Sequence, residues 1–338
     1  MTGRFQCLVS LLGAAAMVGL AAQARAESGE IRFAKQFSMG YVQFDVIENN
    51  HLIEKHAAAL GLPNAKVTWA VLNGPAAVND ALLSNSVDIA AGGVPGLITL
   101  WAKTKGTSLE VKGISALSSQ PFLLNTRDPR IKSITDFTPD DRIAVPTIKV
   151  SVQAVTLQMA VAKAFGMDKY DKLDALTLSL SPPDATTGLI NGGAGFNNVF
   201  SVPPFQQQQL QTPGIRTVLN SFDVMDGPHT FTVAWTSSRF RDQNPIMYKA
   251  LMAALEEATD TINKDKKAAA AMWIADTKSK LPLDFVHEVL AGPQVRWTLV
   301  PENTMKYADF MHKVGSIKVA PATWKDLFFP EIHALPGS

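Results

Sequence analysis

Short β-rich segments alternate with amphipathic helical segments over the first third of the chain, and glycine or proline stands at most of the boundaries. Asn73-Gly74-Pro75 predicts a turn followed by a helix, because proline is favoured in the first helical turn. Such strand–helix–strand alternation is typical of a parallel sheet covered by helices. The predicted strands are 31–34, 66–72 and 87–90, and predicted helices cover 42–60 and 94–102 and follow Pro75.

A second α/β unit follows, and then the pattern becomes helical. Ser151 is placed to start a helix that ends at Gly166, and apolar residues recur on one helical face from Asn244 onward. A length of 338 residues predicts about two domains. The fold class is therefore predicted as α/β, with strands at 142–145, 175–180, 194–198, 215–219 and 230–236.

The N-terminus has the pattern of a secretory signal peptide. Arg4 supplies a positive charge, residues 5–22 are almost entirely apolar, and Ala24-Arg25-Ala26 fits the small-residue cleavage rule. We therefore predict export and a mature chain that begins at Glu27, with residues 1–26 removed. An uncleaved anchor helix is the alternative interpretation.

Removal of this leader changes what chemistry the chain can carry. It takes away Cys7, the one cysteine, and turns the net charge from +1 to about −1 by removing two arginines. A mature chain without thiols excludes disulfides, thiolate nucleophiles, iron–sulfur clusters and a lipoprotein anchor. A charge near zero gives no support for a nucleic-acid partner.

Motifs of enzymes are missing from the sequence. It contains no Gly-x-Ser-x-Gly, no phosphate-binding Gly-x-x-x-x-Gly-Lys-Ser/Thr and no Gly-x-Gly-x-x-Gly, and its six histidines form no His-Glu-x-x-His motif. We therefore predict no catalytic residue, no metal and no cofactor. This shifts the expectation from an enzyme towards a binding protein.

Small and amide residues follow several predicted strands in both halves of the chain. Ligands bind at the carboxyl edge of open α/β sheets, where helix N-termini offer free N–H donors. Two further polar residues, Gln120 and His229, lie where the chain is predicted to cross between halves. The candidate ligand-binding residues are Gln36, Phe37, Asn73, Gly74, Gly93, Val94, Gln120, Ser151, Val152, Asn198 and His229, with Asn198 placed at the end of a strand.

Five segments, in this order, carry a resemblance to a known family. They are the Asn73-Gly74-Pro75 turn with its helix, residues 83–90 (LSNSVDIA), residues 131–137 and 142–146 (IKSITDF and RIAVP), residues 202–205 (VPPF), and the helical tail from Asn244-Pro245. Their order and spacing are similar to those of the nitrate/sulfonate/taurine-binding proteins of ABC importers.

The resemblance implies a two-lobed periplasmic binding protein fold of type II. Lobe one would comprise 28–120 and 230–338, lobe two 121–229, with a hinge and a ligand cleft between them. It also implies a periplasmic monomer that takes a small-molecule ligand to a membrane permease and its ATPase. The ligand would be a small organic or oxyanionic solute, such as a sulfonate, taurine, nitrate or an aromatic acid.

Two departures from the family pattern bear on the ligand. The family's Gly-Ser-Thr-Ser/Thr stretch is Thr147-Ile148-Lys149-Val150-Ser151 here, and Ala194 stands where the family has an aspartate. These departures favour a larger, partly apolar ligand. Two other functions stay open: an enzyme on the same fold, like the pyrimidine-precursor synthases of thiamine biosynthesis or a binder of such precursors, and a ligand sensor that serves a membrane receptor.

Overall fold

The computed structural model describes residues 27–338, so the predicted leader 1–26 lies outside the described residues. No helix within 27–338 combines the length and the hydropathy that crossing a membrane requires. The strands in chain order are β1 (Glu30–Lys35), β2 (Lys66–Val71), β3 (Ile89–Gly93), β4 (Val111–Ser119), β5 (Leu123–Thr126), β6 (Ile143–Val145), β7 (Thr177–Ser179), β8 (Asn198–Phe200), β9 (Arg216–Asn220), β10 (Thr230–Ser237) and β11 (Arg296–Trp297).

Helices follow most of the strands, and several helices form the C-terminal part of the chain. They are α1 (Val42–Asn49), α2 (Leu52–Ala59), α3 (Gly74–Leu83), α4 (Val94–Thr104), α5 (Val152–Phe165), α6 (Pro182–Asn191), α7 (Phe205–Leu210), α8 (Ser221–Val224), α9 (Ser238–Gln243), α10 (Pro245–Lys264), α11 (Lys266–Thr277), α12 (Leu283–Leu290), α13 (Thr304–Lys313) and α14 (Trp324–Leu327).

The strands form two separate mixed sheets. The first has the order β11-β4-β10-β3-β1-β2, in which β2, β1 and β3 are parallel and β10, β4 and β11 join antiparallel. The second has the order β7-β6-β8-β5-β9, with β7, β6 and β8 parallel. The α/β class predicted from sequence is confirmed, and the structure adds antiparallel strands to each parallel core.

The chain passes between the sheets twice. It leaves the first sheet after β4, enters the second at β5, and returns from β9 through α8 to β10. The strands of each sheet fall inside the segments predicted for the two lobes. The limits 28–120, 121–229 and 230–338 themselves stay a prediction.

One predicted strand is misplaced. Residues 194–198 do not form it; β8 begins at Asn198 and runs to Phe200, so Asn198 starts the strand that it was expected to end. Gly192, Gly193 and Gly195 have φ values of 72°, 76° and 80°, which lie in the left-handed region and keep the preceding segment in a loop. Pairing with β6 begins only where Asn198 lies beside Ile143.

The C-terminal helices pack on the first sheet and also reach the second. The apolar face of α10, including Leu251, Ala254 and Leu255, lies in a core with α1 and α2. Helix α13 packs against α4 and α5, and the hydroxyls of Thr156 and Tyr307 form a buried hydrogen bond of 2.9 Å. One hydrophobic core therefore runs continuously from the first sheet, through α13, to the second.

Candidate functional site

The carboxyl ends of the parallel strands in both sheets point into the same cleft. Helix α3 starts after β2 and α4 after β3, whereas α5 starts after β6 of the other sheet. The first turn of a helix leaves backbone N–H groups without intrahelical partners and carries the positive end of the helix dipole. Several such N-termini therefore meet at one place, as the sequence predicted.

The two lobes are in direct contact across this cleft. The backbone N–H of Met39 donates to the carbonyl oxygen of Pro203 at 2.9 Å, and the hydroxyl of Ser38 donates to the same oxygen at 3.1 Å. The space left encloses about 30 Å³, which holds about two water molecules. The structure is therefore a closed arrangement of the lobes. The lining residues are Gln36, Phe37, Ser38, Tyr41, Gly74, Pro75, Gly93, Pro146, Ser151, Val152, Gln153, Pro182, Val202 and Phe231.

Two glycines make this close approach possible. A Cβ at Gly93 would lie 2.6 Å from the Cβ of Val152, and a Cβ at Gly74 would collide with the hydroxyl of Thr147. Both partners belong to the opposite lobe. Gly74 also has a φ of +79°, whereas Gly93 has an ordinary extended backbone with φ −71° and ψ 152°. Gly93 is thus required for closure of the lobes and not for the local chain conformation.

Ser151 starts α5 from the second lobe as predicted. Its hydroxyl accepts a hydrogen bond from the N–H of Ala154 at 3.3 Å and donates to the carbonyl oxygen of Thr147 at 2.8 Å. The residue is 1% exposed. It is therefore an N-cap that fixes the start of α5 at the cleft, where Val152 follows it.

The predicted residues of the first lobe divide into three groups. Gln36 and Phe37 line the cleft, and the Gln36 amide donates to the carbonyl oxygen of Ala91 at 3.2 Å. Asn73 is exposed at the start of α3, beside the lining residue Gly74, and makes no side-chain cap. Val94 follows Gly93, but its side chain is buried in the core.

Besides Asn73 and Val94, three more predicted residues are absent from the lining of the cleft. Asn198 lies at the opposite edge of the second sheet, where its amide donates to the carbonyl oxygen of Arg142 and its oxygen accepts from Thr126. Its placement at a carboxyl strand end was wrong, because β8 starts at this residue. Gln120 is 1% exposed and donates to Ser118 at 3.1 Å.

His229 is the third of these residues and lies in an aromatic core at the crossover between sheets. Its Nδ1 is 2.9 Å from the carbonyl oxygen of Thr230, and its Nε2 is 3.0 Å from the hydroxyl of Ser221. Rings of Phe122, Phe222 and Tyr307 pack edge-on around it. Burial lowers the pKa of His229 to about 4. The ring is neutral and structural here.

A second cavity adjoins the narrow cleft, and sequence reasoning missed most of it. It has a volume of about 500 Å³ and shares Gln36, Phe37 and Ser38 with the cleft. Its charged residues come from segments that are far apart in the sequence, so no local sequence motif indicates that they share a cavity. The lining residues are Lys35, Gln36, Phe37, Ser38, Asp45, Val71, Pro204, Phe205, Gln208, Trp273, Asp276, Thr277, Ser279, Lys280 and Leu281.

Comparison with known proteins identifies the fold. No family model and no curated protein sequence matches the chain. The alkanesulfonate-binding protein SsuA from Xanthomonas axonopodis pv. citri, solved with bound MOPS, matches with a TM-score of 0.68 and 17% identity, over 90% of this chain and 97% of that chain. A Candida albicans protein with the generic periplasmic binding protein fold matches with a TM-score of 0.66 and 15% identity, over 86% and 92% of the two chains.

A nitrate-binding protein gives a similar result. The periplasmic protein NrtA from Synechocystis PCC 6803 matches with a TM-score of 0.60 and 17% identity, over 78% of this chain and 70% of that chain. These similarities confirm the predicted two-lobed periplasmic binding protein fold. The structural neighbours are also of the kinds that the sequence resemblance named, the sulfonate- and nitrate-binding proteins.

Proposed function

We propose that this chain is a periplasmic solute-binding receptor that delivers a small organic or oxyanionic solute to an ABC importer. One observation carries the proposal: the carboxyl strand ends and helix N-termini of both lobes meet in a single cleft that has two glycines at its closest approach. Fold alone does not fix function, but a hinged cleft of this form is suited to trap a ligand between lobes.

The proposed binding residues are those that the cleft brings together. They are Gln36, Phe37, Gly74, Gly93, Ser151 and Val152, with Asn73 and the backbone N–H of Val94 beside them at the starts of α3 and α4. Helix N-termini favour an anionic group of the ligand. Phe37 is 37% exposed at the cleft and offers an apolar wall.

Partners and location follow from the same proposal. The closed receptor would dock, as a monomer, on a membrane permease whose ATPase drives import. The leader predicted over 1–26 would place it in the periplasm. N-terminal sequencing of the exported protein is expected to start at Glu27.

The test is a thermal-shift screen of the mature protein against nitrate, taurine, alkyl- and arylsulfonates, aromatic carboxylates and pyrimidines. A solute at 100 times its dissociation constant raises the free energy of unfolding by about 2.7 kcal/mol. Small-angle scattering on each hit should give a radius of gyration no larger than that of the free protein. Failure of this panel and of a periplasmic small-molecule extract to raise the melting temperature would contradict the receptor function. Chemical turnover of a bound pyrimidine would favour the enzyme instead.

A further inference from the structure

Two aspartates from different helices meet one lysine beside the wide cavity. Asp45 lies in the first turn of α1, Asp276 lies near the end of α11, and Lys35 is the last residue of β1. The ammonium of Lys35 donates to the Oδ2 of Asp276 at 2.8 Å and contacts the Oδ1 of Asp45. One ammonium therefore faces two carboxyl groups and neutralises the charge of only one.

The two carboxyl groups are also hydrogen-bonded to each other. Two ionised carboxylates offer only acceptors, so a hydrogen bond between them requires a proton on one of them. The Oδ2 of Asp45 accepts no hydrogen bond from any donor within residues 27–338. The side chain of Asp45 is 2% exposed and that of Asp276 is 13% exposed. Because burial disfavours the charged form, the proton belongs on the Oδ2 of Asp45, which donates it to Asp276.

The other charged groups around the pair also favour a bound proton. An oxygen of Glu48, on α1, lies 3.9 Å from the ammonium of Lys35, and Glu54 on α2 adds negative charge beside it. Lys280 also lines the cavity, but its side chain is exposed to solvent. Helix α7, on the other side of the cavity, carries no charged side chain.

The acidities of the three carboxyl groups agree with this geometry. Burial raises the pKa of Asp45 well above its usual range and that of Glu48 to about 7. Burial also acts to raise the pKa of Asp276, but hydrogen bonds from Asp45 and Lys35 hold it at about 2. The buried pair thus shares one proton instead of carrying two charges.

This contact joins two walls of the wide cavity. Residues 36–38 continue from Lys35 and line both the cavity and the cleft. Thr277, Ser279 and Leu281 follow Asp276 and form another part of the lining. Repulsion between two carboxylates in a buried place is strong, and here it would act directly on the end of α11.

We propose that one proton shared by Asp45 and Asp276 locks the end of α11 to β1 and α1, and that its release loosens the wall of the wide cavity. On release, the proton passes from the Oδ2 of Asp45 to solvent, and two carboxylates are left with one ammonium. The lock is a property of the fold. Only its effect on solute capture rests on the receptor function.

Carbon-13 NMR of the aspartate carboxyl groups tests the proton directly. The resonance of Asp45, assigned by its loss in Asp45→Asn, should be that of a neutral carboxyl at pH 5 and of a carboxylate at pH 10. An ordinary aspartate is already ionised at pH 5. An Asp45 that is ionised at pH 5, or still neutral at pH 10, would overturn the proposal.

Folding stability tests the sign of the effect. The folded chain keeps a proton that an unfolded aspartate releases near pH 4, so the folding constant of the parent should fall up to tenfold per pH unit above pH 5 while the pair stays protonated. Asp45→Asn needs no such proton, because its amide can donate to Asp276 and accept from Lys35. The ratio of the folding constants of Asp45→Asn and the parent should therefore rise between pH 5 and pH 9.

Two further variants complete this measurement. Asp284→Asn is the matched control, because Asp284 pairs with Lys267 and does not line the cavity, and its ratio to the parent should stay constant above pH 5. Asp276→Asn places an amide donor on the other side of the pair and should remove the decline in the same way as Asp45→Asn. Ratios that stay constant in both lock variants would refute the shared proton.

Spin labels test the movement of the wall. Cysteines introduced at Ala275 and Asp80, which are exposed positions on α11 and α3, report how the end of α11 sits on the first sheet. The distances in the parent should shift and broaden from pH 5 to pH 10, whereas Asp45→Asn should keep its pH 5 distribution. Identical distributions in the parent at the two pH values would overturn the loosening of the wall.

A hit from the solute screen measures the consequence for binding. Its affinity should fall between pH 5 and pH 10 by at least about fivefold more in the parent than in Asp45→Asn, and an equal fall would reject the effect on the cavity. The NMR, stability and spin-label measurements need no solute. Failure of the receptor function therefore leaves the lock standing, and failure of the lock leaves a solute hit standing.

Discussion

Gly93→Ala is expected to open the cleft without disturbing either lobe. The new Cβ would lie 2.6 Å from the Cβ of Val152 and 2.8 Å from its Cγ1, whereas carbon atoms pack at about 3.5–4.0 Å. The lobes must separate locally by about 1 Å to relieve the overlap. The extended backbone at Gly93 accepts alanine, although alanine is a poorer N-cap of α4 than glycine.

The size of the effect follows from the cost of overpacking. An extra methyl group in a tightly packed contact costs about 1–3 kcal/mol. Because this overlap exists only in the closed arrangement, the closed-to-open ratio should fall by about 5- to 150-fold. The affinity of any solute that needs closure should fall by up to the same factor.

The absence of cysteine from residues 27–338 allows a direct assay. Spin labels on cysteines introduced at the exposed positions Asp80 and Thr187, on α3 and α6, report the distance between lobes. Gly93→Ala should shift the distances to larger values. Adding Val152→Gly, which removes the opposing Cβ, should restore them, and Gly29→Ala, with nothing within 4 Å, should change nothing. A distance distribution identical to that of the parent protein would refute the role of Gly93 in closure.

Five other variants separate structural from binding roles. Ser151→Ala should lower stability by about 0.5–2 kcal/mol through the lost N-cap and weaken the affinity of a hit from the solute screen, whereas Asn198→Ala should lower the melting temperature and leave that affinity unchanged. The pKa of His229 is about 4 in the folded chain and 6.5 in the reference state. The folded chain therefore binds the proton less tightly than the unfolded chain does, and protonation of this ring favours unfolding. The contribution of this ring to stability is therefore full above pH 6.5 and falls by up to about 3 kcal/mol as pH drops to 4. Urea denaturation should show a shallower decline in His229→Asn, and an equal decline would contradict the argument. Tyr307→Phe should cost about 0.5–1.5 kcal/mol by breaking the hydrogen bond to Thr156, and the loss should not add to that of Thr156→Val.

Local signals in the sequence were sufficient to predict the elements that frame the cleft. Proline after Asn73-Gly74 starts α3, and Ser151 caps α5, because the conformational preferences of these residues act over a few neighbours. The parallel orientation of β1, β2 and β3 also follows from their alternation with helices. Six of the predicted binding residues consequently line one cleft.

Long-range contacts determined the roles that the sequence left undecided. His229 and Gln120 look like hinge-side donors in the sequence, but packing at the crossover buries both side chains and gives them partners inside the protein. Asn198 lies at the start of β8 and not at the end of a strand as predicted, because the glycines before it keep residues 192–197 out of the strand. A shift of this kind depends on where pairing with β6 begins, which no local pattern reports.

By itself, the sequence determined the α/β alternation, the helix starts at the cleft, and the absence of thiol chemistry from residues 27–338, since composition and short-range preferences suffice for each. Only the tertiary structure decided that Gly93 meets Val152 and that Lys35, Asp45 and Asp276 form one charged cluster. Lys35 and Asp276 are 241 positions apart. The packing of whole helices on the first sheet brings them together, and that packing is a property of the entire core.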